Sequence, residues 1–181
     1  MSTVLTIIIF VIIAILLIWF IVTSNSLNRA VVKIEEAESD IDVALTKRYD
    51  TLTKMIDVVK GYAKHEKETL FEIVNIRKGM TVKEKEEAAK KMDEAHNKIN
   101  LLAEAYPELR SSENYNTLEK AIVEVEEHLQ ASRRMFNANV SSLNQSIVTF
   151  PISIVAGLKG LSKRDFFETE DIKKEDVKID L

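Results

Sequence analysis

The sequence predicts an all-α protein: an N-terminal transmembrane helix followed by an antiparallel up-down bundle of three long helices, or four if the first breaks at Gly61. Three observations carry this reading. From Val4 to Val22 every residue except Thr6 is apolar, and no charge appears before Arg29. The 181 residues include only 4 Gly and 2 Pro while 30% are charged, a composition of helix formers without the punctuation of hairpins. Beyond the apolar run, hydrophobic residues recur at steps of three and four, the period of a helix with one buried face.

The first element is the apolar run itself. At about 1.5 Å per residue, Val4 to Val22 makes roughly 28 Å of helix, against roughly 30 Å of bilayer hydrocarbon. Trp19 and Phe20 near one end suit a membrane interface. Val22-Thr23-Ser24 has the form of a signal-peptide cleavage site, but the run is longer than a signal core and no Lys or Arg precedes it. An uncleaved anchor follows, with the lipid bilayer as its partner. Arg29 and Lys33 are the basic residues closest to the span, so the positive-inside rule puts the bundle in the cytoplasm and the N-terminus outside. The opposite orientation is the alternative.

The first soluble helix carries Leu27, Val31, Ile34, Ile41, Leu45, Leu52, Met55, Val59 and Tyr62 on one stripe, interrupted by Glu38 and Arg48. Gly61 costs about 1 kcal/mol against Ala in a helix interior, which makes it the place where the first helix would kink or break in the four-helix alternative. Arg77-Lys78-Gly79 reads as a cationic last turn with its Gly cap. Thr81-Val82-Lys83-Glu84 has the capping-box form and opens a second helix with Val82, Lys85 by its stem, Ala88, Ala89, Met92, Ala95, Ile99, Leu102 and Tyr106 on its stripe, ended by Pro107. Ser111 or Ser112 caps the third, whose stripe runs from Tyr115 through Ile122, Leu129 and Phe136 to Ile147 before Phe150-Pro151 stops it. Connections of about five residues would make neighbouring helices antiparallel. Ile152, Ile154, Val155, Leu158 and Leu161 then form an apolar patch with basic Lys163 and Arg164, readable as a cover for the open bundle end or as a lipid-surface contact.

The expected domains are an anchor over 1–26, a bundle over 27–162 and an acidic, disordered tail over 163–181. After residue 164 seven acids face three lysines, so residues 165–181 carry −4 and the rest of the chain sums to about zero. A neutral body offers no basic stripe for a phosphate backbone, which argues against nucleic acid as a partner. The absence of Cys removes thiol nucleophiles, thiolate metal sites and disulfides together.

One set of residues invites a site. Arg48 falls on the buried stripe with Tyr49 and Asp50 beside it, and the third helix offers Arg133, Asn137 and Asn144 at turn spacing. A buried Arg must find acceptors, because an unpaired buried charge costs several kcal/mol. The expectation is a polar seam inside the bundle, either a pocket for a small anion or carboxylate or a network that fixes helix register. His65, His96 and His128 do not form the paired Glu-x-x-His pattern of a bundle di-iron site, and no phosphate loop or nucleophile elbow occurs, so no cofactor, no metal and no catalysis are expected.

Three stretches together resemble the LemA family, bacterial single-span membrane proteins with a helical soluble domain. They are Asp42 to Asp50 running on to Val59-Lys60-Gly61-Tyr62-Ala63-Lys64-His65-Glu66; Tyr106-Pro107-Glu108-Leu109 with Glu113-Asn114-Tyr115 and Leu118; and Arg133, Phe136-Asn137, Leu143-Asn144, Phe150-Pro151, Ala156-Gly157 and Asp165-Phe166-Phe167-Glu168. Thr53 stands where the family often has Pro, and Phe136 and Leu143 stand where it usually has Tyr. The resemblance implies a helical bundle on a membrane anchor and carries no agreed biochemical activity. The function expected is therefore a non-enzymatic module that binds or scaffolds other proteins at the bacterial cell membrane, with a ligand-binding sensor as the alternative. An oligomer of identical chains is compatible with the sequence.

Overall fold

The apolar run and the first soluble stripe form one uninterrupted helix. The structure, a computed structural model, describes residues 2–62 and 79–167, and in it α1 (Ser2–Tyr62) runs for 61 residues, about 90 Å. No Pro or charged cluster breaks the backbone between the two halves. None of its apolar N-terminal window is buried by protein, and Phe10 is 74% exposed, as suits a single-pass anchor. From Leu27 onward the same helix enters the core through Ile34, Ile41, Leu45, Leu52, Met55 and Val59. The description of α1 ends at Tyr62, one residue past Gly61, so the alternative in which the first helix breaks at Gly61 stays open. Residues 63–78 lie outside the described residues, and with them the Arg77-Lys78 turn expected to end the first helix.

The remaining elements begin and end where local chemistry directs. α2 (Val82–Ala105) starts at Thr81, whose hydroxyl accepts from the Glu84 amide while the Glu84 carboxylate accepts from the Thr81 amide at 2.6 Å. This reciprocal cap holds Glu84 below the usual carboxylate range, chiefly through the backbone hydrogen bond from Thr81. Pro107 opens the short α3 (Pro107–Arg110), Ser112 caps α4 (Glu113–Val148), and α5 (Ile152–Leu158) follows Pro151. No strand occurs among the described residues.

Register follows from side chains that join the helices. Lys85 of α2 meets Glu38 and Asp42 of α1, and Asp93 of α2 meets Arg48 of α1, so residue numbers rise together along the two helices. α1 and α2 are therefore parallel, not antiparallel as the three-helix form of the bundle would have them; the four-helix alternative makes them parallel. The three-helix form rested on a short turn before Thr81, whereas α1 is described only to Tyr62 and the connection lies outside the described residues. α4 does run antiparallel to both: Glu126 sits beside Arg48, Asn139 donates to the Lys33 carbonyl at 3.0 Å, and Tyr115 donates to Asn100 at 2.9 Å. Ala30, Ala37 and Ala44 recur every seven residues on α1, and their small side chains leave room for a neighbouring helix.

Within the core the stripes meet as read. Ile122, Leu129, Phe136 and Leu143 of α4, also at seven-residue spacing, are buried with Met92 and Ile99 of α2. The boundary expected at residue 162 falls short of the packed chain. Asn144 donates to the Arg164 carbonyl and accepts from its amide, both at 2.9 Å, and Asn137 does the same for Phe167 at 2.8 and 2.7 Å. Each Asn side chain thus replaces the partners a strand would supply, and Phe167 is buried beneath this strap.

Candidate functional site

Arg48 occupies a seam position because it stands seven residues from Ile41 and seven from Met55, both fully buried. Only 4% of its side chain is exposed. Its Nη2 donates to Asp93 Oδ1 and lies 3.2 Å from Glu126 Oε2, in charge contact but not aligned for a hydrogen bond. Both carboxylates reach solvent, so the desolvation cost falls mainly on the guanidinium. Nε and Nη1 of Arg48 are buried and have no partner among the described residues.

A second cluster lies about two turns nearer the anchor. Lys85 donates to Glu38 at 2.9 Å and stands 2.6 Å from Asp42. Burial alone would push its ammonium pKa down, but the two carboxylates outweigh that and hold it above the ordinary lysine value. Glu38 and Arg48, the two interruptions of the α1 stripe, are therefore each answered by an opposite charge on α2.

At the far end Tyr115 Oη donates to Asn100, whose amide lies 3.4 Å from His96 Nε2, itself 3.2 Å from Glu119. Burial, followed by the Glu119 charge, raises the Tyr115 phenol above its usual value. His96 is half-buried in this α2–α4 bridge, whereas His128 is exposed. His65 lies outside the described residues. Among the described residues no three His, Asp or Glu side chains gather as metal ligands would.

The six residues expected to share a seam are divided. Arg48 is central, Tyr49 packs half-buried against the core, and Asp50 is exposed and joins nothing in the seam. Asn137 and Asn144 hold the C-terminal strap instead. Arg133 lies with its guanidinium 4.9 Å over the Phe167 ring, a contact of about 0.5–2 kcal/mol. Burial pushes Arg133 down from the ordinary arginine value, against the opposing Glu126 and Asp93 carboxylates. The acceptors of Arg48, Asp93 and Glu126, were missed because each lies beside its helix stripe rather than on it. Opposite charge at matching heights was the available signal, but it needs the parallel register to be read.

Between α2 and α4 an open groove of about 500 Å³ leads to Arg48, lined also by His96, Ile122, Val123, Glu126 and Gln130. Ile122 and Arg48 are its buried lining residues, and Val123, Glu127 and Arg134 its exposed ones. Asp93 and Glu126 already neutralise the Arg48 guanidinium, and on the groove lining Arg134 is offset by Glu127, so the arrangement suits an apolar side chain or a neutral acceptor better than a phosphate.

Two comparisons bear on this architecture. The model of the LemA family matches residues 37–181. A Protein LemA of Metamycoplasma hominis is 30% identical over 158 residues, an alignment that takes in 84% of this chain and 72% of that protein.

Proposed function

The chain belongs to the LemA family, and from that premise we propose that it is a membrane-anchored, non-enzymatic helical bundle that binds or scaffolds other proteins at the bacterial cell membrane. The observation that supports this reading is the continuity of α1. One helix carries an unburied apolar segment of bilayer length and then the central stripe of the bundle, with no flexible joint between them. Such a rod holds the bundle at a fixed height and presents the same faces to every neighbour. Arg29 and Lys33 just beyond the span favour a cytoplasmic bundle with the N-terminus outside.

The ion pairs serve register. Each charged seam residue on one helix finds its counter-charge at one height on another, which ties α1, α2 and α4 in a single alignment. The α2–α4 groove, with Val123 51% exposed on its wall, is the face offered to a partner. Photo-crosslinking from position 123 in intact membranes is expected to give discrete adducts with other proteins. Adducts no stronger than those from Lys47, exposed on α1, would defeat the reading.

A second reading, a ligand-binding sensor, has one observation in its favour: the unpartnered Nε and Nη1 of Arg48 at the groove. A ligand at a hundred times its dissociation constant would add about 2.7 kcal/mol to stability. A metabolite library that produces no thermal shift removes this alternative.

A further inference from the structure

At the base of the bundle the chain turns a corner. α4 ends at Val148, and α5 leaves it at 98°. Because α4 runs along α1, a helix bent through that angle lies across the axis of α1, in the plane that a bilayer around the span would occupy. Two contacts set its height. Lys159 Nζ donates to Ser24 Oγ at 3.0 Å, two residues past the end of the apolar run, and Trp19 inside that run packs against the bundle core.

The two sides of α5 differ in burial. Val155 and Ala156 are fully buried and Ile152 is half-buried, which fastens the helix to the bundle. Ile154 is 53% and Leu158 72% exposed, one turn apart on the other side, with Phe150 78% exposed at the corner. Lys163 and Arg164 follow, both exposed. The expectation that this patch closes the bundle end thus accounts for Ile152, Val155 and Leu161, which pack on the core, and leaves Ile154 and Leu158 bare.

We propose that the α4–α5 corner is a second membrane contact, an in-plane interfacial helix whose Phe150, Ile154 and Leu158 enter the acyl–headgroup boundary while Lys163 and Arg164 meet anionic headgroups. The inference rests on the reading of Val4 to Val22 as a membrane anchor. Lipid is the occupant because the surface is continuous with the span: α1 emerges from the bilayer at the height of α5, so a protein partner would first have to displace lipid already there. Apolar side chains combined with flanking basic residues are what an anionic membrane surface attracts. Held at two points, the bundle cannot rotate freely about α1.

Trp19 is the single tryptophan, which provides the test. The full chain is placed in phosphatidylcholine–phosphatidylglycerol vesicles whose acyl chains carry bromine near the headgroup or near the chain end. Quenching of Trp19 in the wild type reports the anchor. In a Trp19→Phe background, Ile154→Trp and, separately, Leu158→Trp report the corner, and Leu101→Trp on α2 serves as the distant control. Shallow bromines are expected to quench both corner tryptophans more than deep ones, and neither should quench the control. Quenching of Trp19 without quenching at either corner position overturns the proposal and spares the anchor. Blue-shifted but unquenched corner emission also overturns it, since protein, a second copy included, would then be the cover. Absence of quenching at Trp19 overturns the anchor reading and this proposal with it.

Discussion

Arg48 on α1 and Asp93 on α2 form an ion pair that is incompatible with antiparallel packing of these helices once Lys85 is seen beside Glu38 and Asp42. The guanidinium is buried while Asp93 is about half exposed. Removing the arginine should therefore cost less than removing its acceptors. Arg48→Met is expected to change stability by less than about 1 kcal/mol, since both carboxylates can turn to water. Asp93→Asn combined with Glu126→Gln leaves a buried charge unanswered and should cost about 3–5 kcal/mol. Denaturant titration of the detergent-solubilised chain, followed by circular dichroism, ranks the two.

The strap is held by two asparagines, each with a donor and an acceptor on one backbone unit. Asn137→Ala removes both bonds to Phe167 and should cost about 1–3 kcal/mol, felt locally. Amide exchange over residues 161–167 should quicken while exchange in the middle of α4 stays slow. Equal acceleration in both would mean that the strap is part of the global core.

Alkaline pH tests the Lys85 cluster. Its folded-state pKa is raised, with burial opposing and the Asp42 and Glu38 carboxylates prevailing. The ammonium's contribution is thus fully present below the ordinary lysine range and is lost as pH rises through the raised folded value. The stability of Lys85→Met should depend less on pH in that alkaline window than that of the wild type, as measured by thermal unfolding across a pH series.

Two glycines should respond oppositely to the same change. Gly61 lies in the last described turn of α1, and a Cβ there would meet nothing within 4 Å among the described residues, so Gly61→Ala is expected to stabilise by about 0.5–1 kcal/mol. Gly79 has φ +90, and Gly79→Ala should destabilise by at least about 1 kcal/mol despite open space around it. Melting temperatures of the two variants decide this.

These contrasts also show how far the residues could be read in advance. Helix stripes were legible because burial follows a period of three and four: Ile34, Met92 and Phe136 are all inside. The Thr81 and Ser112 caps were legible because an amide without a partner selects a nearby side-chain oxygen. Helix direction was not legible, since it depends on which cation meets which carboxylate across the 45 residues from Arg48 to Asp93 and the 47 from Glu38 to Lys85. The candidate seam failed for a related reason. Asn137 and Asn144 have the spacing of a bundle-facing pair, but their amides bind backbone that arrives from residues 164 and 167, and no local pattern announces a partner that distant.

The reading of α1 as a single rod that crosses the bilayer and enters the bundle is tested most directly by sidedness in intact cells. The chain has no Cys, so Ser2→Cys and Ser111→Cys can each carry the only thiol, one before the span and one at the far end of the bundle. With an impermeant thiol reagent, Ser2→Cys is expected to label and Ser111→Cys to be protected until the cells are opened. The reverse pattern would keep the crossing and invert the orientation. Labelling of both positions, or of neither, in intact cells would contradict a span between them.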